Sequence, residues 1–359
     1  MPAVHQILAG FTAGDAISNM ALTMRGLLEQ WGVAGDIYSL PERTMPAWRQ
    51  QARDARQAGA RLTPDDVAVL HLSIGSPVND LFAQLHCRKA IVYHSVTPAF
   101  YFQGIHEQLA RDLAWGRQQA AALAGQAQLV MAVSRFNAME LEDMGYREVR
   151  VLPLLLDFKR IMTPPDRRLV RRWRDGRINI VFVGRAVPNK RLEDLLQVFQ
   201  IFQQTVAPES RLIHAGSFSG LPRYQSLLRA QASALRLRQV EFLGAIPQRE
   251  LSAVYAAADV FLCLSEHEGF CIPILESMAH DLPVVARAAA AVPETMGGAG
   301  ALFEKCSWPH VAELVGCVAR EQRLREGIIR RQQERLLEYR SRDLAAELRA
   351  HLSLLLPGA

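Results

Sequence analysis

Two glutamates stand eight positions apart in the run Glu268-Gly269-Phe270-Cys271-Ile272-Pro273-Ile274-Leu275-Glu276. Each carboxylate accepts several hydrogen bonds, so two directed at one place suit a ligand rich in neighbouring hydroxyls. The apolar run 259–265 before them reads as a buried strand, and Pro273 suits the first turn of a helix, where a missing N–H costs nothing. The pair therefore straddles a strand-to-helix junction, with Glu268 in the loop and Glu276 one turn into the helix. The amides of Gly269, Phe270 and Cys271 are left for an anion at the helix start. A phosphorylated, polyhydroxylated ligand fits such a place. Alone, the pair would be an ordinary helix-start carboxylate and a solvated loop residue, so its flanks decide.

A second loop carries the complementary charge. Residues 178–184 read as another buried strand, which delivers Arg185-Ala186-Val187-Pro188-Asn189-Lys190 to the start of a helix. Helix-end amides and two full positive charges suit a diphosphate; Arg185 grips bidentately and Lys190 acts as a point charge. Neither a G-x-x-x-x-G-K-[ST] loop nor a G-x-G-x-x-G fingerprint is present here. Surface cations in a turn are the alternative, weakened by the glutamate pair in the same half of the chain. In the first half, Gly10 to Asn19 join a strand to a helix, and Gly14 permits close backbone approach to a ligand. His94 ends the apolar strand Ile91-Val92-Tyr93, at the carboxyl edge where open α/β sheets bind ligands. His71 and His86 lack that context and read as structural. Ser134-Arg135-Phe136-Asn137 ends another strand and is placed on the acceptor side, while Asp15, Asn19 and Arg117 receive no role.

These residues need a scaffold that brings strand ends together. Short apolar runs alternate with helical patterns throughout, which predicts an α/β fold of parallel sheets covered on both faces. Expected strands are 6–11, 36–40, 67–73, 90–95, 129–134 and 149–153, then 178–184, 211–215, 240–243, 260–265, 283–286 and 301–303. Two similar sets of six give two Rossmann-like domains, 1–160 and 175–335. The boundary falls in the Arg-, Asp- and Pro-rich stretch 156–177. A helical tail over 321–355 carries Leu344, Leu348, Leu352 and Leu355 at helical spacing.

Composition narrows the class. The 359 residues are 50% hydrophobic and 21% charged, as in an ordinary globular protein large enough for two cores. The net charge of +5 is concentrated in two arginine clusters, one over 167–177 and one over 320–335. Trp173 is the only aromatic in the first, so base stacking, and with it nucleic acid, is not expected. The clusters read as solvated faces, with attraction to an anionic membrane as the alternative. Five scattered cysteines without a C-x-x-C pair suggest neither a disulfide framework nor a zinc site, and fit a reducing cytoplasm. No signal peptide is evident, and apolar runs break well before the roughly 18 residues of a membrane span.

The E-x7-E element, the Gly184-Arg185-x4-Lys190 loop and the segment 282–300 resemble the retaining glycosyltransferases of GT-B architecture, in particular family 4. Asp281 departs from the Gly often seen there, outside the proposed contacts. The resemblance implies two Rossmann-like domains facing across a cleft, the acceptor on the first and a nucleotide sugar on the second, with the last helix (336–359) returning to the first domain. It implies His94, Glu268, Arg185 and Lys190 as catalytic residues. The implied donor-binding set is Gly14, Arg185, Lys190, Glu268, Gly269, Phe270, Cys271, Ile272 and Glu276. Arg185 and Lys190 would hold the diphosphate, Glu276 the ribose hydroxyls and Glu268 those of the transferred sugar, with His94 near that sugar. No metal ligand and no cofactor are expected, since D-x-D is absent; the donor would be GDP-mannose or a UDP-hexose. Residues 14–19, 93–98 and 151–155 look most like bacterial enzymes building O-antigen or capsule, with a glycan or lipid-linked acceptor and peripheral contact with the inner membrane. Sugar-phosphate or glucan synthesis, or a non-catalytic basic scaffold, are the alternatives.

Overall fold

The computed structural model of the protein describes residues 2–218 and 220–356; residues 1, 219 and 357–359 of the expected domain ranges lie outside the described residues. The chain forms two compact units. One comprises Met1–Leu156 with Asp343–Ala359, the other Asp157–Arg342.

In the first unit, β1 (Val4–Leu8), β2 (Ile37–Ser39), β3 (Arg53–Asp54), β4 (Val67–Leu72), β5 (Arg88–Tyr93), β6 (Leu129–Ala132) and β7 (Arg150–Val151) make one parallel sheet in the order β3-β2-β1-β4-β5-β6-β7. β4 is buried along its whole length, as expected for an apolar run covered on both faces. The strand order reverses between β1 and β4, which places the chain's first switch point at their carboxyl ends. Six strands were expected; the seventh, β3, is two residues, Arg53 and Asp54, with no apolar signal.

In the second unit, β8 (Ile178–Val183), β9 (Ser210–Ala215), β10 (Val240–Gly244), β11 (Val260–Cys263), β12 (Val284–Arg287) and β13 (Ala301–Phe303) are ordered β10-β9-β8-β11-β12-β13, all parallel. The switch point here lies between β8 and β11. The strands that deliver Arg185 and Glu268 are therefore neighbours.

Several arginines expected on solvated faces are structural. Trp173 is buried, and its indole N–H donates to Glu241 at 3.2 Å, beside Arg172 at 3.3 Å from the same carboxylate. Arg325 donates to the Asp259 carbonyl at 2.5 Å, and Arg335 to the carbonyls of Glu294 and Thr295 at 2.8 and 3.2 Å. The expected single tail helix is broken. Gln322–Ser341 belongs to the second unit, and Leu344–Leu352 starts afresh with Asp343 accepting from the Ala346 amide at 2.9 Å. Leu344, Leu348, Leu352 and Leu355 are buried, and Arg88 holds the Leu355 carbonyl at 2.9 Å.

Gln332 ties the long helix to β12. Fully buried, it accepts from the Val284 amide and donates to the Leu282 carbonyl, both at 2.9 Å. Removing its amide strands two backbone groups, at about 1–3 kcal/mol per buried unpaired group. Gln332→Ala is expected to lower the urea midpoint of the second unit accordingly, whereas Gln333→Ala, on the exposed face against Asp281, should barely move it. Equal effects in the two variants would contradict this role.

Candidate active site

At the end of β11 the chain passes through residues 264–271 and enters the helix Ile272–Ala279 with Pro273 in its first turn. Cys271 caps that helix in the left-handed conformation, φ 71° and ψ 65°, without a side-chain cap. Among the described residues the amides of Gly269, Phe270 and Cys271 meet no protein acceptor, and Ile272 begins the helix beside them. Glu276 sits one turn in, where Tyr255 donates its hydroxyl to it at 2.6 Å. Tyr255 is itself buried and lies flat on His280, with ring centroids 5.2 Å apart and planes 10° apart. Burial raises the Glu276 pKa, and the Tyr255 hydrogen bond and Arg160 pull it back down. Burial and the neighbouring Glu276 carboxylate hold the Tyr255 phenol well above its ordinary value, so it stays a donor.

The neighbouring loop is built by close backbone contact. Gly184 follows β8 with φ 150°, and a Cβ on Gly216 would overlap the Gly184 carbonyl, which also accepts from His214 at 2.9 Å. Only a glycine at 216 lets the two backbones approach this closely. The next residue, Arg185, is exposed and its guanidinium has no partner among the described residues. Lys190 instead faces inward. Its ammonium lies 2.5 Å from Glu268 and 3.4 Å from the His267 carbonyl.

Three further contacts join the two loops. Buried Asn189 donates to the His267 carbonyl at 2.9 Å, and its own carbonyl accepts from the Glu266 amide at 2.9 Å. Arg191, left-handed at φ 55°, pairs with Asp194 at 2.7 Å and Glu266 at 3.5 Å, and Arg287 bonds Glu266 at 2.6 Å. Asn189, Arg191, Tyr255, Glu266 and Arg287 were not singled out from the sequence. Their partners lie tens of residues away, so no local pattern marks them, except Arg191 and Asp194 at helical spacing.

In the first unit, His94 follows β5 and is partly buried. Its Nε2 lies 3.0 Å from Nδ1 of His71, whose Nε2 lies 2.9 Å from Oε1 of Gln6. The Gln6 amide nitrogen donates to the Ala21 carbonyl at 2.9 Å, which fixes that amide's orientation. The protons then follow in order. Gln6 Oε1 accepts from His71 Nε2–H, His71 Nδ1 accepts from His94 Nε2–H, and His94 is left with Nδ1 as a bare acceptor. Burial keeps both rings neutral, His71 down to about 3 and His94 well below its usual value, with His71 adding to the His94 shift. His71 is thus structural in the sense that it sets the tautomer of His94; His86 is exposed.

The remaining expectations fall differently. Gly14 sits exposed in its turn with φ 78°. Asp15 caps the helix Ala16–Gln30 through Ser18 at 2.9 Å, and Asn19 bonds through its backbone. Arg117 is a brace, bonding the Val96 carbonyl and Glu140 at 3.1 Å each. Ser134 and Asn137, expected on the acceptor side, are both buried, and Ser134 caps the helix that starts there by accepting from the Asn137 amide at 3.2 Å.

Residues 166–335 match the family model described as glycosyl transferases group 1. O-antigen chain mannosyltransferase B of Escherichia coli is 32% identical over 122 residues, 33% of this chain and 31% of that protein. The GDP-mannose-dependent monoacylated alpha-(1-6)-phosphatidylinositol monomannoside mannosyltransferase of Corynebacterium glutamicum is 31% identical over 179 residues, 46% of this chain and 45% of that one. The chain thus spans less than half the length of these curated relatives. Over the whole chain, the fold matches the crystal structure of WaaG, a glycosyltransferase involved in lipopolysaccharide biosynthesis, with a TM-score of 0.71 at 14% identity, covering 99% of this chain and 100% of that one. Two parallel α/β units of this kind are the GT-B architecture. Among the described residues no helix is long and apolar enough to cross a membrane.

The buried histidine pair has a consequence for acid stability. Both rings take up protons near pH 6.5 once unfolded but resist protonation when folded, His71 to about 3. The unfolded chain therefore binds more protons below pH 6.5. The pair's contribution is fully present above that pH and is lost as pH falls. Urea unfolding of the first unit at pH 7.5 and pH 5 is expected to show this loss, and His71→Gln to show a smaller one. An unchanged pH dependence in the variant would contradict it.

Proposed function

We propose, for a chain whose residues 166–335 belong to the group 1 glycosyl transferases, that it transfers a hexose from a nucleoside diphosphate sugar to a glycan or lipid-linked acceptor. The observation that carries this reading is the pair of latched loops at the carboxyl ends of β8 and β11. They present an unpaired arginine, a lysine–glutamate pair, free helix-start amides and a second carboxylate within one switch point. A nucleoside diphosphate sugar needs each of these.

Arg185 takes the diphosphate bidentately, and Lys190 adds its charge while keeping Glu268 from repelling the phosphates. The Glu276 carboxylate, steadied by Tyr255, accepts from the ribose hydroxyls, and Glu268 from hydroxyls of the transferred sugar. Gly269, Phe270, Cys271 and Ile272 offer amides to the β-phosphate. As the bond between anomeric carbon and phosphate oxygen breaks, the leaving diphosphate gains charge, which Arg185, Lys190 and those amides stabilise without a metal or other cofactor. His94 offers Nδ1 to a hydroxyl of the sugar, and Gly14 leaves room for the ligand in the first unit. The configuration at the anomeric carbon is retained.

GDP-mannose is the proposed donor, in keeping with the names of the mannosyltransferase relatives, and a UDP-hexose is the second choice. The setting we infer is surface-polysaccharide synthesis at the cytoplasmic side of the inner membrane, whose anionic face the exposed Arg167, Arg168 and Arg171 would meet.

The test is incubation with GDP-mannose and UDP-hexoses in the presence of chelator, with product linkage determined by NMR. Turnover that survives chelator, a retained linkage, and strong loss in His94→Ala are expected. Abolition by chelator, an inverted linkage or full activity in His94→Ala would each remove the corresponding part.

Acid should also weaken the donor. Burial raises the Glu276 pKa, so as pH falls the ionised acceptor is lost at a higher pH than an ordinary glutamate would be. Calorimetric donor affinity should fall across that window. Tyr255→Phe deletes a bond that holds this pKa down, so the fall should begin at higher pH. A Glu276→Gln variant with the same acid loss as wild type would sink the assignment.

A further inference from the structure

The sulfurs of Cys263 and Cys271 and a carboxylate oxygen of Glu268 lie within 4.8 Å of one another, the only such group of His, Cys, Asp or Glu among the described residues. Cys263 ends β11 and is fully buried, with its thiol 3.4 Å from the Ser265 hydroxyl. Cys271 is 5% exposed, and its left-handed backbone is one that non-glycine residues adopt only when their surroundings impose it. Two elements thus hold two thiols against one carboxylate. A positive charge is already accommodated there, because the Lys190 ammonium is 2.5 Å from that carboxylate.

We propose that Cys263, Cys271 and Glu268 form a binding site for a soft divalent cation such as Zn2+ or Cd2+, and that its occupation shuts the donor pocket. Zinc accepts sulfur at about 2.3 Å and carboxylate oxygen at about 2.0–2.2 Å, so ligands around one tetrahedral ion sit roughly 3–4 Å apart, a short contraction from the distances seen here. On binding, both thiols release their protons to solvent and two metal–sulfur bonds and one metal–oxygen bond form. Lys190 gives up its carboxylate and stays protonated, and water fills the fourth position. The ion takes no part in sugar transfer. It withdraws Glu268 from the sugar hydroxyls and places a metal beside the helix-start amides; that inhibitory consequence rests on the proposed function, whereas the binding does not.

The full chain, reduced and freed of metal, is loaded with one equivalent of Zn2+ and desalted, and its X-ray absorption is recorded. A shell of two sulfurs near 2.3 Å is expected, with proton release on loading. A shell of nitrogen and oxygen alone would overturn the site, and this reading needs no variant to fold. Cys263→Ser and Cys271→Ser should each lose the two-sulfur shell, as should the ultraviolet sulfur-to-metal band of the Cd2+ form. Its survival in both would place the ion on Cys87, Cys306 or Cys317 and defeat the assignment. Donor affinity of the loaded, desalted chain should fall at least tenfold and return with chelator. If the metal-free chain binds donor but shows no zinc–sulfur shell, the metal site fails and the donor site stands. If the shell forms while the metal-free chain binds no nucleoside diphosphate, the donor reading fails and the metal site stands.

Discussion

A carboxylate with little access to water has to be paired, and in this protein that requirement fastens two loops to each other. Glu268 is only 9% exposed, and its partner Lys190 comes from the neighbouring strand's loop, 2.5 Å away. A mostly buried pair of this kind gains little net stability, because desolvation offsets attraction, but losing either partner leaves a costly lone charge. The neutral bonds from Asn189 and the Arg191–Glu266–Arg287 chain act alongside it. Together they hold the ends of β8 and β11 in one arrangement before any ligand arrives. Electrostatic stabilisation is most effective from groups that need not move.

The second carboxylate is held by different means. Glu276 leans on a buried phenol in an environment that raises its pKa, whereas Glu268 is matched by a full charge. One side of the switch point therefore suits diphosphate and the sugar beside it, and the other suits neutral hydroxyls. In the first unit, the hydrogen-bond chain from Ala21 through Gln6 and His71 gives His94 a fixed neutral form.

Much of this was legible in the sequence because apolar runs and turn residues are local signals. The strands that carry the site, the Pro273 helix start and the Glu268–Glu276 spacing all follow from side-chain size and period. What stayed hidden is pairing across sequence distance. Tyr255 reads as one more aromatic on a helix until Glu276, 21 residues on, is seen to accept from it. His71 reads as a core residue until its ring is found against His94. Strand β3 has only Arg53 and Asp54 to announce it, and the break at Asp343 is a cap inside a continuous helical pattern. Ser134, placed at a strand end, also serves the local need to start a helix, a cap that its position before the helical pattern could have suggested.

The central claim is that the loop after β8 recognises a diphosphate. The most direct measurement is calorimetric affinity of the donor's nucleoside monophosphate and diphosphate for wild type, Arg185→Ala and Lys190→Ala. Loss of a charge-assisted contact is worth roughly 1.5–3 kcal/mol, about one to two orders of magnitude in affinity. That loss should fall on the diphosphate and largely spare the monophosphate. Equal losses for both ligands would mean that neither cation stands at the β-phosphate.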